Sequence, residues 1–208
     1  LGLLNERVAA DGVEPGEDCV CLTTTNAAAD AINLRKLSLL KGRVFTYHAD
    51  VTGDFDRKLA PADAVLRLKK GAQVMFLNNN PDGLWVNGTL GSITRIGKKG
   101  IEVTTRDAGR VTVEPYRWTL YRYTVDPHTR RLEQESVGSF TQVPLNLAWA
   151  VTIHKSQGKT FDRVVVDFGR GTFAHGQAYV ALSRCRSLSG LLLARPLRRE
   201  HVFMDYRV

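Results

Sequence analysis

An apolar run at residues 19–25 (Cys-Val-Cys-Leu-Thr-Thr-Thr) is followed at once by an alanine-rich stretch through Ala31, Leu34 and Leu37. The run reads as a buried strand, and the stretch as a helix reaching about Leu40 with Asn26 as its N-cap. The same order returns near the other end. An apolar segment from about Leu147 to His154 reads as a helix, Ser156-Gln157-Gly158 as a turn, and Val164-Val165-Val166 as a strand closing on Asp167. A further helix is expected around Gln177–Arg184, leading into a strand at Gly190-Leu191-Leu192-Leu193. Doubly apolar strands alternating with helices predict an α/β fold whose parallel sheet is covered by helices on both faces.

The middle of the chain is patterned differently. From about Gly71 to Val143, short alternating segments are punctuated by turn signals at Pro81-Asp82-Gly83, Gly97-Lys98-Lys99-Gly100, Asp107-Ala108-Gly109 and Asp126-Pro127. That punctuation predicts a small antiparallel β-barrel inserted between two α/β parts. The expected division is residues 1–70, the insert at 71–143, and 144–208.

A chain of 208 residues buries roughly 70% of its extended surface on folding, enough for a core without staples. No apolar run approaches the roughly 20 residues of a membrane helix, so a soluble protein with no membrane partner is expected. The N-terminal Leu1-Gly2-Leu3-Leu4-Asn5-Glu6-Arg7 has neither an initiator Met nor the layout of a secretory signal, and reads as a boundary within a longer chain. Cys19 and Cys21 stand two apart on one strand face, an arrangement expected to hold neither a disulfide nor a metal, and with Cys185 they suit a reducing cytoplasm. The net charge of +8 favours a polyanionic partner.

Two stretches carry chemistry. In Thr152-Ile153-His154-Lys155-Ser156-Gln157-Gly158 a polar, glycine-containing turn stands immediately before a buried strand, where α/β sheets place ligand groups. Alone it reads equally as a helix C-cap, with Gly158 supplying positive φ. In Gly176-Gln177-Ala178-Tyr179-Val180-Ala181-Leu182-Ser183-Arg184-Cys185-Arg186 a helix ends on two arginines. An arginine on a rigid helix suits a transferring phosphoryl group, but taken alone the pair reads first as cations favouring the negative end of the helix dipole.

Together the two stretches resemble motifs V and VI of superfamily 1 helicases of the RecD and Pif branch. Thr24-Thr25-Asn26 with Ala29-Asp30-Ala31-Ile32-Asn33 is similar to the opening of that family's second RecA-like motor domain, and Lys70-Gly71-Ala72-Gln73-Val74-Met75-Phe76 with Val86-Asn87-Gly88 to the entry of its inserted barrel. The likeness covers most of residues 19–194. It implies a RecA-like domain with a Src-homology-3-like insert, taken from an ATP-dependent DNA helicase moving 5′ to 3′. By the same resemblance Arg184 is the arginine finger that meets the γ-phosphate, Gln157 and Gly158 lie near that phosphate, and Thr152 and His154 touch the backbone of single-stranded DNA. Asn87 and Gly88 are implied near the strand path. ATP and Mg²⁺ would be bound mainly by a first motor domain in the parent chain.

Gly158-Lys159-Thr160 imitates the end of a P-loop, but Ile153 occupies the position that needs glycine, and the tripeptide precedes a strand. The family more commonly has an aliphatic residue at position 159. Val164-Val165-Val166-Asp167 imitates a Walker B strand with Phe168 in place of the second acid. With no other P-loop pattern in the sequence, this chain alone is expected to be inactive on ATP. Tyr116-Arg117-Trp118-Thr119-Leu120-Tyr121-Arg122-Tyr123, followed by Arg130-Arg131, interleaves aromatics with arginines and could stack bases, although one strand face of it must be core. The competing expectation is a non-catalytic module for single-stranded nucleic acid, which has no need of an arginine finger.

Overall fold

The computed structural model describes residues 1–9, 18–98, 100–125, 130–169, 171–172 and 174–202. In chain order the first half runs α1 (Gly2–Asn5), β1 (Cys19–Thr23), α2 (Asn26–Leu39), β2 (Phe45–His48), β3 (Asp50–Gly53), β4 (Val65–Leu68), β5 (Gln73–Phe76) and β6 (Leu90–Gly97). There follow β7 (Gly100–Thr105), β8 (Gly109–Val113), β9 (Tyr116–Val125), β10 (Leu132–Gln142), β11 (Leu145–Leu147), β12 (Ala150–Thr152), β13 (Arg163–Asp167), α3 (Gln177–Leu182) and β14 (Leu191–Leu193). The chain divides into two compact units, 1–41 with 147–208, and 42–146.

The first unit is the RecA-like α/β part. Its described strands form a parallel sheet of order β12-β1-β13-β14. Val20, Leu22, Val164, Val166 and Leu193 are completely buried in it, as doubly apolar strands require. One expected helix is a strand. Leu147–His154 contains β12, which pairs Ala150, Val151 and Thr152 with Cys21, Leu22 and Thr23. A short apolar run does not by its periodicity tell a buried strand from a buried helix, and here sheet pairing decides.

The helix after β1 forms as expected, with two corrections. Its N-cap is Thr25, not Asn26: Thr25 is extended and its Oγ1 accepts from Ala28 N–H at 3.3 Å. Its inward stripe is Ala29, Asn33 and Leu37, whereas Ala31 and Leu34 face outward. Asn33 takes a core position because its amide doubles as a strand edge. Nδ2 donates to the Ala150 carbonyl at 2.8 Å, and Oδ1 accepts from Ala150 N–H at 2.9 Å. Among the described strands β12 is an outer strand of the sheet, so this amide satisfies backbone groups that no described strand pairs. Asn33→Ala leaves both unsatisfied, and is expected to destabilise the fold by about 2 kcal/mol, read as a lower denaturant midpoint. An unchanged midpoint would count against this reading of the amide.

The second unit is the small antiparallel β insert. It holds a five-stranded sheet of order β11-β5-β6-β7-β8, a three-stranded sheet β3-β10-β9 and the pair β2-β4. It begins at Gly42, ahead of the turn-punctuated stretch, because β2 and β4 pair with each other and β3 joins β10. Phe76, Phe140, Leu66, Leu68, Ile93, Ile101 and Leu145 are large, fully buried side chains of this unit. The turns expected at 97–100 and 107–109 join β6 to β7 and β7 to β8. The Asp126-Pro127 turn lies outside the described residues, as does Lys99.

Candidate nucleotide and nucleic-acid site

The turn after β12 is pinned from below and open above. Ile153 is 2% and Ser156 0% exposed, whereas His154, Lys155, Gln157 and Gly158 are exposed. Ile153 N–H continues the sheet by donating to the Thr23 carbonyl at 2.9 Å, and Ser156 Oγ donates to the Ile153 carbonyl at 2.6 Å. Thr152, 7% exposed, uses its Oγ1 to accept from Lys155 N–H at 3.3 Å. Its side chain is therefore a brace of the turn, while His154 stands where a ligand could reach it. Gly158 has φ +74° with no atom within 4 Å of where a Cβ would lie. Glycine is needed there for conformation, not for space.

Arg184 lies two residues beyond α3, not within the expected helical span. α3 packs inward through Ala178 and Ala181 and leaves Tyr179 76% exposed. The segment that follows the first motif stretch meets the end of the second in a short ladder: Phe161 N–H donates to the Arg184 carbonyl, and Arg186 N–H to the Phe161 carbonyl, both at 2.9 Å. Arg186 Nη1 pairs with Asp162 Oδ1 at 3.1 Å. The Arg184 guanidinium reaches back to the turn, where Nη1 donates to the Lys159 carbonyl at 3.1 Å. Gln157, Gly158 and Arg184 are thus on two segments joined directly. Burial lowers the pKa of the Lys159 ammonium.

The look-alike motifs behave as ordinary structure. Residues 159–162 lead into β13, not into a helix. Asp167 closes its own turn by accepting from Gly169 N–H at 2.8 Å, with Arg195 Nε at 4.0 Å. Burial pushes the Cys21 thiol up to about 12 and raises the pKa of the Cys19 thiol.

In the insert, Asn87 and Gly88 sit in a loop organised by asparagine side chains. Asn79 Oδ1 accepts from Asn87 N–H at 2.8 Å, Asn80 Oδ1 from Asp82 and Leu84 N–H, and Asn78 Oδ1 from Trp85 Nε1. Trp85 is buried against Phe76 at 4.7 Å, and Asn87 is exposed beyond it. On β9, Trp118 turns toward Phe140 at 6.0 Å, whereas Tyr121 and Tyr123 are 47% and 61% exposed. Trp118 and Leu120 are thus half-buried, Tyr116 on the same side is exposed, and the distal half of the β9–β10 ribbon is solvated.

The family described as "DNA helicase Pif1, 2B domain" matches residues 59–96, within the insert. The ATP-dependent DNA helicase Pif1 of Psychrobacter sp. (strain PRwf-1) is 34% identical over 83% of this chain and 33% of its own length. Unliganded Pif1 from Bacteroides sp. superimposes with a TM-score of 0.89 at 34% identity, over 99% of this chain and 47% of that one. Bacteroides Pif1 in complex with ADP-AlF3 and single-stranded DNA gives a TM-score of 0.76 at 34% identity, over the same shares. The chain spans about a third of the curated relative and about half of the solved proteins. Over the stretch compared, the chain is similar to helicases of the Pif1 family.

Proposed function

We propose that this chain is the second motor domain of an ATP-dependent DNA helicase, supplying the arginine finger and part of the track for single-stranded DNA. The observation that carries the reading is the tie between Arg184 and the 152–160 turn through the Lys159 carbonyl. A guanidinium so held can stabilise charge on a phosphoryl group delivered by another domain, and any shift of it pulls on the segment bearing His154. ATP with its Mg²⁺ would be held mainly by a first motor domain of the same parent chain. Arg184, Gln157 and Gly158 would complete that site on closure. The fit is chemical: the donors offered here are N–H groups, which suit phosphate oxygens and not a metal ion.

Thr152 and His154 would meet the DNA backbone, with Thr152 fixing the turn and His154 making the contact. Asn87 and Gly88 would lie along the strand in the insert. Movement 5′ to 3′ and a cytoplasmic setting belong to the proposal on family kinship and on the three free cysteines. The solvated Tyr121 and Tyr123 favour a second reading, a non-catalytic module for single-stranded nucleic acid that stacks bases on the ribbon.

The isolated chain is expected to hydrolyse ATP at background rate, with or without single-stranded DNA, while the full-length parent turns over ATP and is stimulated by the strand. Robust turnover by the isolated chain would sink the proposal. A parent that binds the strand but never hydrolyses ATP would favour the binding module.

A further inference from the structure

Arg184 is held from three sides by its own domain. Nε donates to the Val180 carbonyl at 3.0 Å, Nη1 to the Lys159 carbonyl at 3.1 Å, and Nη2 to Ser183 Oγ at 3.0 Å. Two of these acceptors are main-chain oxygens. The third is a hydroxyl whose own hydrogen is committed, because Ser183 Oγ donates to the Val180 carbonyl at 3.0 Å. The Val180 oxygen therefore receives both Ser183 and Arg184, and a ring closes through the hydroxyl, the guanidinium and that oxygen. With its hydrogen on Val180, Ser183 presents only lone pairs to Nη2, so its polarity toward the arginine is fixed.

A guanidinium carries five N–H groups in a rigid plane. Three are used here, which leaves one on each terminal nitrogen, the two-pronged pattern suited to two oxygens of one phosphoryl group. Rotation about the last side-chain bonds would scramble which hydrogens point outward. The main-chain acceptors alone hold Nε and Nη1, and the hydroxyl fixes Nη2.

We infer that Ser183 is a positioning residue for Arg184, holding the guanidinium so that its two remaining N–H groups arrive already oriented when the motor domains close. The inference rests on the reading of Arg184 as the arginine finger. Preorganised donors cost no rearrangement at the moment of reaction, so their loss falls on the rate of the chemical step and not on substrate binding.

The test is steady-state and single-turnover ATP hydrolysis by the full-length protein with single-stranded DNA, for Ser183→Ala, Ser183→Thr and Arg184→Ala side by side. Ser183→Ala is expected to lower kcat about 10-fold and to leave KM for ATP and the melting temperature within error of the unmodified protein. Ser183→Thr, which keeps the hydroxyl, should retain most of the rate. Unchanged kcat in Ser183→Ala beside a crippled Arg184→Ala would overturn the role of Ser183 and leave the finger standing. A threonine variant as slow as the alanine one would overturn it too. Undiminished turnover in Arg184→Ala would remove the finger, and with it the inference.

Discussion

Arg184→Ala in the full-length protein is expected to slow ATP hydrolysis by about 10³-fold or more, with little change in the affinity for nucleotide. The split follows from where the residue sits. If the nucleotide is held mainly by another domain, Arg184 adds its charge only when that domain closes on it, so its removal costs transition-state stabilisation and not ground-state binding. Arg184→Lys should rescue little. A lysine ammonium has three donors on one atom and cannot span the Val180 carbonyl, the Lys159 carbonyl and the Ser183 hydroxyl while also reaching a ligand. The measurement is single-turnover hydrolysis at saturating ATP and DNA, paired with binding of a non-hydrolysable nucleotide. Turnover within a few-fold of the unmodified protein would refute the assignment.

How much of this could be read from the sequence depended on how local the physics was. The strands at 19–23 and 163–167 were legible because a strand buried on both faces must be apolar throughout. Turns at 97–100 and 107–109 were legible because glycine marks positions whose backbone few other residues adopt. Leu147–His154 misled because Ala, Trp, Ala and Val suit a buried helix as well as a strand, and the deciding fact is a partner, β1, more than a hundred residues away. Nothing local marks Asn33 as an inward residue of its helix, because its buried position depends on the backbone of Ala150. At the candidate site, family motifs singled out Arg184, but not Ser183. The signal for Ser183 was only its place beside the arginine, and its meaning lies in carbonyl oxygens that a sequence does not display.

The ladder that seats Arg184 is itself crowded at one point, and Gly190→Ala should expose it. Gly190 ends the turn before β14, where its N–H donates to Ser187. A Cβ there would collide with the Asp162 carbonyl oxygen and come within 3.1 Å of both the Asp162 carbonyl carbon and Cys185 Sγ. None of these can yield cheaply. Asp162 stands at the entry to β13 and pairs with Arg186, and Cys185 stands beside Arg184 and bridges to Phe161. The backbone of Gly190 is not in the left-handed region, so the cost of alanine is steric alone. Forcing a methyl into a packed backbone contact costs typically 1–3 kcal/mol and more where main chain must move, so a loss of about 3 kcal/mol is expected. It should appear as a lower midpoint in denaturant unfolding of the isolated chain. In the full-length protein, hydrolysis should fall further than the folded fraction alone accounts for, because the methyl parts the segments 161–162 and 184–186 on which the guanidinium depends. An alanine variant with an unchanged midpoint would show that the approach of these segments is looser than described. A destabilised variant with full turnover per folded molecule would show that the seat of Arg184 does not rely on it.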